Sequence, residues 1–229
     1  MMQHLTLPKT NLNVSNLCLG TADFGAGIDE KTSFALLDQF VAAGGNFLDT
    51  AAIYADWTPA GKGSSEKLLG KWLKERDGEV VIATKGAHPE IATMDVSRMA
   101  QPQVQADLEH SLENLGVEAI DLYYLHRDDT NIPVAQILEM LEGFVTAGKI
   151  RHYGCSNWSV TRLQEAIDIA AAKGITGFVA SQPMWSLAEI DLKQGDSTLV
   201  AIDEAYRAWH AKTGFPAIPY SSQANGYFN

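Results

Sequence analysis

The sequence predicts an α/β fold built on a parallel sheet. Short apolar runs alternate with longer stretches of helical periodicity along the whole chain, and each helical stretch then serves as the crossover that parallel pairing requires. The runs are continuous rather than alternating, as in strands buried on both faces. No glycine-rich GxGxxG turn follows any of them, which weighs against an open dinucleotide-binding sheet and favours a barrel.

The elements follow in order. Residues 3–6 and 11–14, flanking Pro8-Lys9-Thr10-Asn11, read as a small hairpin ahead of the first strand, a cap for a barrel floor. Strands are expected at Leu17–Leu19, Asn46–Leu48, Val80–Ala83, Ile120–Leu125, Ile150–Tyr153, Phe178–Ala180 and Ala217-Ile218. The first helix carries Phe34, Leu37, Phe40 and Val41 and stops at Gly44-Gly45; the second carries Leu68, Leu69, Trp72 and Leu73. The third runs from Val104 through Leu108 and Leu112 to Leu115, ending at Gly116. The fourth opens at Pro133 and reaches Gly148, the fifth opens at Ser159 and ends at Gly174, and the sixth holds Leu199, Ile202, Tyr206 and Trp209. Serine or proline at the start of a helix and glycine past its end are the expected punctuation. With no linker, charge block or low-complexity tract, residues 1–229 read as one domain.

That makes about seven strands. The chain ends shortly after Pro219-Tyr220, which leaves no space for a final crossover, strand and helix, so the expectation is a barrel incomplete at its C-terminus, with bare strand edges.

Bulk properties exclude several classes. A formal net charge of −11 argues against nucleic acid and anionic membrane surfaces as partners. No apolar run reaches the ~18 residues that a membrane span needs, and the N-terminus lacks the basic-then-apolar order of a signal peptide. Cys18 and Cys155 match no CxxC pattern, so a reducing, cytoplasmic setting is expected. His88, His110, His152 and His210 form no ligand spacing, and no metal is expected.

In a barrel, functional side chains gather at the carboxyl ends of the strands. Asp49, Lys85, His126, Ser156, Asn157, Gln182, Tyr220 and Ser221 each fall there, and Tyr54 follows Asp49 in the same loop. Any one of them has an ordinary structural explanation, such as a helix cap, a surface lysine or a packed loop aromatic; together they converge on one rim. Reducing a carbonyl takes a hydride at carbon and a proton at oxygen. A tyrosine is a poor acid at neutral pH, and a nearby ammonium lowers its pKa while a carboxylate holds that ammonium in place. Tyr54, Lys85 and Asp49 then make a tuned proton donor and His126 orients the substrate oxygen. Tyr220 offers a face for a nicotinamide ring, and Ser156, Asn157 and Gln182 offer partners for its carboxamide.

The segments Leu19-Gly20-Thr21, Phe47-Leu48-Asp49-Thr50-Ala51-Ala52-Ile53-Tyr54, Ala83-Thr84-Lys85, Leu122–His126, Gly154–Trp158, Ser181-Gln182-Pro183 and Pro219-Tyr220-Ser221 resemble the aldo-keto reductase family. The resemblance runs the length of the chain and implies an eight-stranded (β/α)8 TIM-type barrel. It implies the catalytic set Asp49, Tyr54, Lys85 and His126. It also implies a cofactor site of Gly20, Thr21, Asp49, Ser156, Asn157, Gln182, Tyr220 and Ser221. NADPH is the cofactor it implies, NADH being possible, with an aldehyde or ketone as substrate. In the family the last strand and the loop that grips the adenosine phosphates follow the point where this chain ends.

Two other readings stand beside this one. Lys85 could form a Schiff base in a lyase, although the Ser156-Asn157 and Gln182 matches have no part in that chemistry. The chain could also be a non-catalytic, truncated or nucleotide-sensing barrel. Trp57, Trp158 and Trp185 serve equally as pocket walls or as loop packing, and Arg127-Asp128-Asp129 read as a polar brace.

Overall fold

The computed structural model describes residues 2–59, 61–76, 78–189 and 196–228. An antiparallel hairpin, β1 (His4–Thr6) and β2 (Asn13–Ser15), precedes a parallel sheet. The sheet takes its strands in chain order: β3 (Leu19–Gly20), β4 (Phe47–Asp49), β5 (Val81–Gly86), β6 (Ile120–Leu125), β7 (Ile150–Ser156) and β8 (Ser181–Gln182). Between them lie α1 (Glu30–Ala42), α2 (Ser64–Lys74), α3 (Gln101–Leu115), α4 (Val134–Thr146) and α5 (Val160–Lys173), and α6 (Glu204–Thr213) follows β8. The punctuation is chemical. Asp29, Ser159 and Asp203 accept N-terminal backbone N–H groups of α1, α5 and α6, and left-handed Gly116 and Gly174 end α3 and α5.

The sheet curls on itself. Strands β4 and β8 stand four positions apart in it, roughly 19 Å if it were flat. Yet the Gln182 amide of β8 donates to Asp49 of β4 at 3.1 Å. Strand alternation then sorts side chains into two cores. Phe47, Ala83, Leu122, Tyr124 and Ala180 point inward and meet Leu7, Leu12 and Val14 of the hairpin, which plug one end of the curl. Leu48, Ile82, Tyr123, Leu125 and Cys155 point outward under the helices.

Three expectations shift. The run Phe178–Ala180 does lie along β7, with Val179 N–H donating to the Tyr153 carbonyl (3.0 Å), but the ladder of β8 itself falls on Ser181-Gln182. The seventh run makes isolated parallel bridges, Ser181 with Ala217 and Met184 with Tyr220, so it lies beside β8 without a continuous ladder. Leu199 and Ile202 lie outside α6, because the Asp203 carboxylate caps the Tyr206 N–H (2.7 Å) and fixes the start of the helix there. The segment before it extends along Met184. Among the described residues, no helix is long and apolar enough to cross a membrane.

Gly70 lets α2 lie against α3: a Cβ there would meet the Asn114 carbonyl oxygen at 2.2 Å. Gly70→Ala should therefore lower the unfolding free energy by about 1–3 kcal/mol in urea titration, although alanine is the better helix former. An unchanged or raised midpoint would mean that the two helices can separate freely.

Candidate active site

Alternation along the strands aims the site. Gly20, Asp49, Lys85, His126, Ser156, Gln182 and Tyr220 all keep the phase of the inward positions Cys18, Phe47, Ala83, Tyr124, Gly154, Ala180 and Ile218. They form the top layer of the curled sheet at its carboxyl end. Thr21 is out of phase. Its hydroxyl turns into the helix layer, bonding the Asp49 carbonyl (3.1 Å) and the Ser65 hydroxyl (2.9 Å), so it supports the rim from behind and lines neither opening described below.

Lys85 is the centre. Its buried ammonium donates to Asp49 Oδ2 (2.5 Å), to the Thr50 carbonyl (2.8 Å) and to the Tyr54 hydroxyl oxygen (3.1 Å), which spends all three protons. Burial alone would push Lys85 down. Asp49 and Tyr54 outweigh that, and the ammonium is held above the ordinary lysine value. Tyr54 differs from the tuning that its neighbours suggest. Burial raises its hydroxyl above the usual value, and Lys85 offsets this only in part because Asp49 pulls the other way. Tyr54 therefore stays protonated, with its oxygen accepting from Lys85 and its own proton unspent.

His126 faces Tyr54 with ring centres 6.0 Å apart. Burial first, then the charges of Lys85 and Arg127, hold it well below the ordinary histidine value, so the imidazole is neutral. Its Nδ1 is buried without a partner. An unpaired lone pair is tolerated better than an orphaned N–H, which favours the tautomer carrying its proton on Nε2.

Two openings meet at this layer. One, of about 220 Å³, has Lys85, His126, Ser156 and Asn157 in its wall. The other, of about 540 Å³, runs past Gly20, Asp23, Asp49, Ile218 and Ser221. Tyr54, Gln182 and Tyr220 line both. A side chain at Gly20 would stand in open space there, so the backbone is bare where a flat ring could approach. No residue lining the larger opening is basic. Around the junction the polar groups bond one another. Ser156 donates to the Gln182 carbonyl (2.7 Å), and Asn157 donates to Ser156 (3.0 Å) and to the His126 carbonyl (3.2 Å). Asn157 Oδ1 accepts from Tyr220 (2.7 Å) and from Val200 N–H (3.1 Å). Burial pushes the Tyr220 hydroxyl up to about 12.

Trp57 lines the smaller opening. Trp158 is fully buried against Phe178, its N–H bonding the Arg127 carbonyl, and Trp185 lines neither. Arg127 and Asp128 act as braces, to Asp196 with Thr198 and to Arg162 respectively. Sequence reasoning passed over His88, which lines the smaller opening against His126. Its signal was position: it is the third residue past Lys85, on the same rim.

A curled parallel α/β sheet with a buried Lys–Asp–Tyr group at its carboxyl rim defines a barrel-type protein. The chain belongs to the Aldo/keto reductase family, whose profile matches residues 16–229, and its fold is accordingly of the (β/α)8 barrel type. It is similar to the uncharacterized oxidoreductase YrpG of Bacillus subtilis, 36% identical over an alignment of 195 residues, with coverages of 82% of this chain and 59% of that protein. It is similar to the norsolorinic acid reductase stcV of Emericella nidulans, 34% identical over 82% of this chain and 51% of that one. An aryl-alcohol dehydrogenase (NADP+) of Phanerodontia chrysosporium is 29% identical, with coverages of 82% and 52%. The chain thus spans between 51% and 59% of the length of these relatives.

The ion pair gives a signed prediction. Because Lys85 is held above its ordinary value when folded, its charge contributes stability at all pH below about 10, lost only as pH rises through the folded value. Asp49→Asn leaves a buried, unpaired ammonium and should cost about 3–5 kcal/mol at pH 7. Burial then pushes Lys85 below its unfolded value, so this variant, unlike the parent, should regain stability as pH rises towards about 10. Urea titrations at pH 7 and 9.5 measure both, and Lys85→Met added to Asp49→Asn should recover part of the loss. Equal stability of the Asp49→Asn variant and the parent at pH 7 would mean that the pair is exposed to water.

Proposed function

We propose that this chain carries the catalytic part of an NAD(P)H-dependent reductase of aldehydes or ketones. The observation that carries the proposal is a protonated tyrosine whose oxygen accepts from a paired, buried lysine (3.1 Å), across a small cavity from a neutral histidine. Membership of an oxidoreductase family supports it.

The residues at the junction fit a nicotinamide. Gly20 leaves room, the Tyr220 ring offers a stacking face, Gln182, Asn157 and Ser156 are partners for a carboxamide, and Ser221 borders the approach. When bound, the reduced ring supplies the hydride that goes to the carbonyl carbon. Tyr54 gives its proton to the carbonyl oxygen. Lys85 and Asp49 hold the tyrosine oxygen in place and compensate the charge it acquires. His126 donates from Nε2 to the same oxygen and orients it. Asp49, anchored to Gln182, links the proton donor to the carboxamide partners. NADPH is the preferred cofactor in this proposal, in line with the NADP+ in one relative's name, and NADH is the alternative. The free thiols Cys18 and Cys155 suit a cytoplasmic setting.

Tyr54→Phe should lower kcat/KM for NADPH-dependent aldehyde reduction by roughly a hundred- to ten-thousand-fold, with NADPH affinity, read by fluorescence titration, nearly intact. Lys85→Met should do the same. Retained turnover in the Tyr54→Phe variant would remove the tyrosine from the chemistry. With His126 held below about 6.5 and Tyr54 above about 10, kcat/KM should stay flat between those values and fall above them as the tyrosine loses its proton. A stopped-flow pH series would expose any titration in between and so a different acid.

A further inference from the structure

The smaller cavity contains an unspent acceptor. Lys85 has given all three protons to Asp49, Thr50 and Tyr54. Arg127 gives three of its five guanidinium protons to Thr198, Asp196 and the His126 carbonyl and has no atom that accepts. Ser156, Asn157 and Tyr220 are bonded to one another and to the backbone. Ile53, Ile91 and Leu199 offer only apolar contact, and Trp57 adds an indole N–H that can donate but not accept. Beyond Tyr54 and His126, Gln182, which borders the larger opening as well, keeps its Oε1 and one amide proton, and His88 keeps a ring nitrogen, its ring standing 4.7 Å from that of His126, edge to face.

Its aim is built in. Ala87 adopts a left-handed backbone (φ 64°), unfavourable for a residue with a Cβ. The turn is fixed by the buried Asp107, which accepts the Ala87 N–H (2.9 Å) and is itself held by Arg98 (2.6 Å). His88 Nδ1 lies 2.6 Å from the Pro89 carbonyl oxygen. A carbonyl only accepts, so Nδ1 carries the proton. Burial and Arg127 hold the ring below the ordinary histidine value, so it is neutral and Nε2 is a lone pair. Among the described residues no hydrogen bond reaches Nε2.

We infer that His88 is a specificity-determining residue that accepts a hydrogen bond from a substrate hydroxyl on the carbon next to the carbonyl, so that the site takes α-hydroxy carbonyl compounds. The carbonyl oxygen lies between Tyr54 and His126, and the neighbouring hydroxyl reaches the next imidazole along. A methyl ether at that position has no proton to give, and the ring that would meet it has none to offer. This rests on the reductase reading of the same site.

The test compares 2-hydroxyacetophenone with 2-methoxyacetophenone as a ratio of kcat/KM within each protein, so that a general loss of activity cancels. The parent should prefer the hydroxy ketone by about tenfold or more. His88→Phe should bring the ratio close to one, and His88→Gln, which keeps an acceptor, should retain part of the preference. A ratio near one in the parent, or a preference that survives in the His88→Phe variant, overturns the inference. If neither ketone is reduced, the reductase reading fails while His88 is still judged separately by ¹⁵N imidazole NMR. There, 1-phenyl-1,2-ethanediol should shift the His88 Nε2 resonance and its 2-methyl ether should not. Equal shifts, or none, overturn it.

Discussion

A lysine ammonium sealed inside the sheet must be neutralised, and much of the carboxyl rim follows from that need. An ion taken out of water costs several kcal/mol unless its partners are close and complete. Lys85 finds them in a carboxylate, a backbone carbonyl and a phenol oxygen, all from the stretch Asp49–Tyr54. The pairing register puts Asp49 beside Ala83, two residues below Lys85, so both side chains point inward and the lysine stem leans back over the carboxylate. The other carboxylate oxygen accepts from Gln182 across the curl. One charge thus specifies a register, a loop conformation and the approach of β8 to β4.

Among the described residues, four of the six left-handed residues other than glycine lie around this group. Ala55 follows Tyr54, Ala87 lies two beyond Lys85, Asn157 follows Ser156 and Ser221 follows Tyr220, each with φ between 61° and 70°. None is glycine, and each such residue costs of order 1 kcal/mol or more. They sit at the rim, where the inward alternation of the strands ends. A strand that continued in phase would send its next side chain outward and its second back inward; a left-handed residue breaks that phase, and after Ala87 it leaves His88 lining the smaller opening. The strain is held by bonds that the rim makes anyway, such as Asp107 to Ala87 N–H and Val200 N–H to Asn157.

Most of this architecture was legible in the sequence because it rests on periodicity and punctuation. Gly116, Gly174 and Ser159 mark helix ends by steric and capping rules that tertiary contacts seldom override. Asp49, Lys85 and His126 were legible as polar residues terminating apolar runs. What escaped depends on contacts remote in sequence. The 200–202 segment is apolar enough to be read as helix, yet the N-terminus that Asp203 caps excludes it and it pairs with Met184 instead. Thr21 shares its motif with Gly20, and only the phase of β3 reveals that it faces Ser65. The net upward shift of Tyr54 is a desolvation effect that proximity to a lysine cannot forecast. His88 looks like any loop histidine until the Ala87 turn swings it against His126.

The bonds already made at the rim constrain how a carboxamide can be held. Asn157 already uses both amide protons and both lone pairs of its oxygen, on Ser156, the His126 carbonyl, Tyr220 and Val200. Gln182 uses Nε2 on Asp49, and Ser156 gives its proton to the Gln182 carbonyl. A carboxamide that enters finds free partners only in the Oε1 and second amide proton of Gln182; at Asn157 it has to replace bonds, and replacing a bond gains little beyond the difference between two similar interactions. The exchange is least costly at Tyr220, whose hydroxyl borders both openings and can turn to water when it leaves Asn157. Releasing Tyr220 would free one lone pair on Asn157 for an amide N–H and free the phenol ring to lie against a flat ligand. Stacking and amide recognition would then be one coupled event, with the affinity for the rest of the ligand supplied outside a lining that contains no basic side chain.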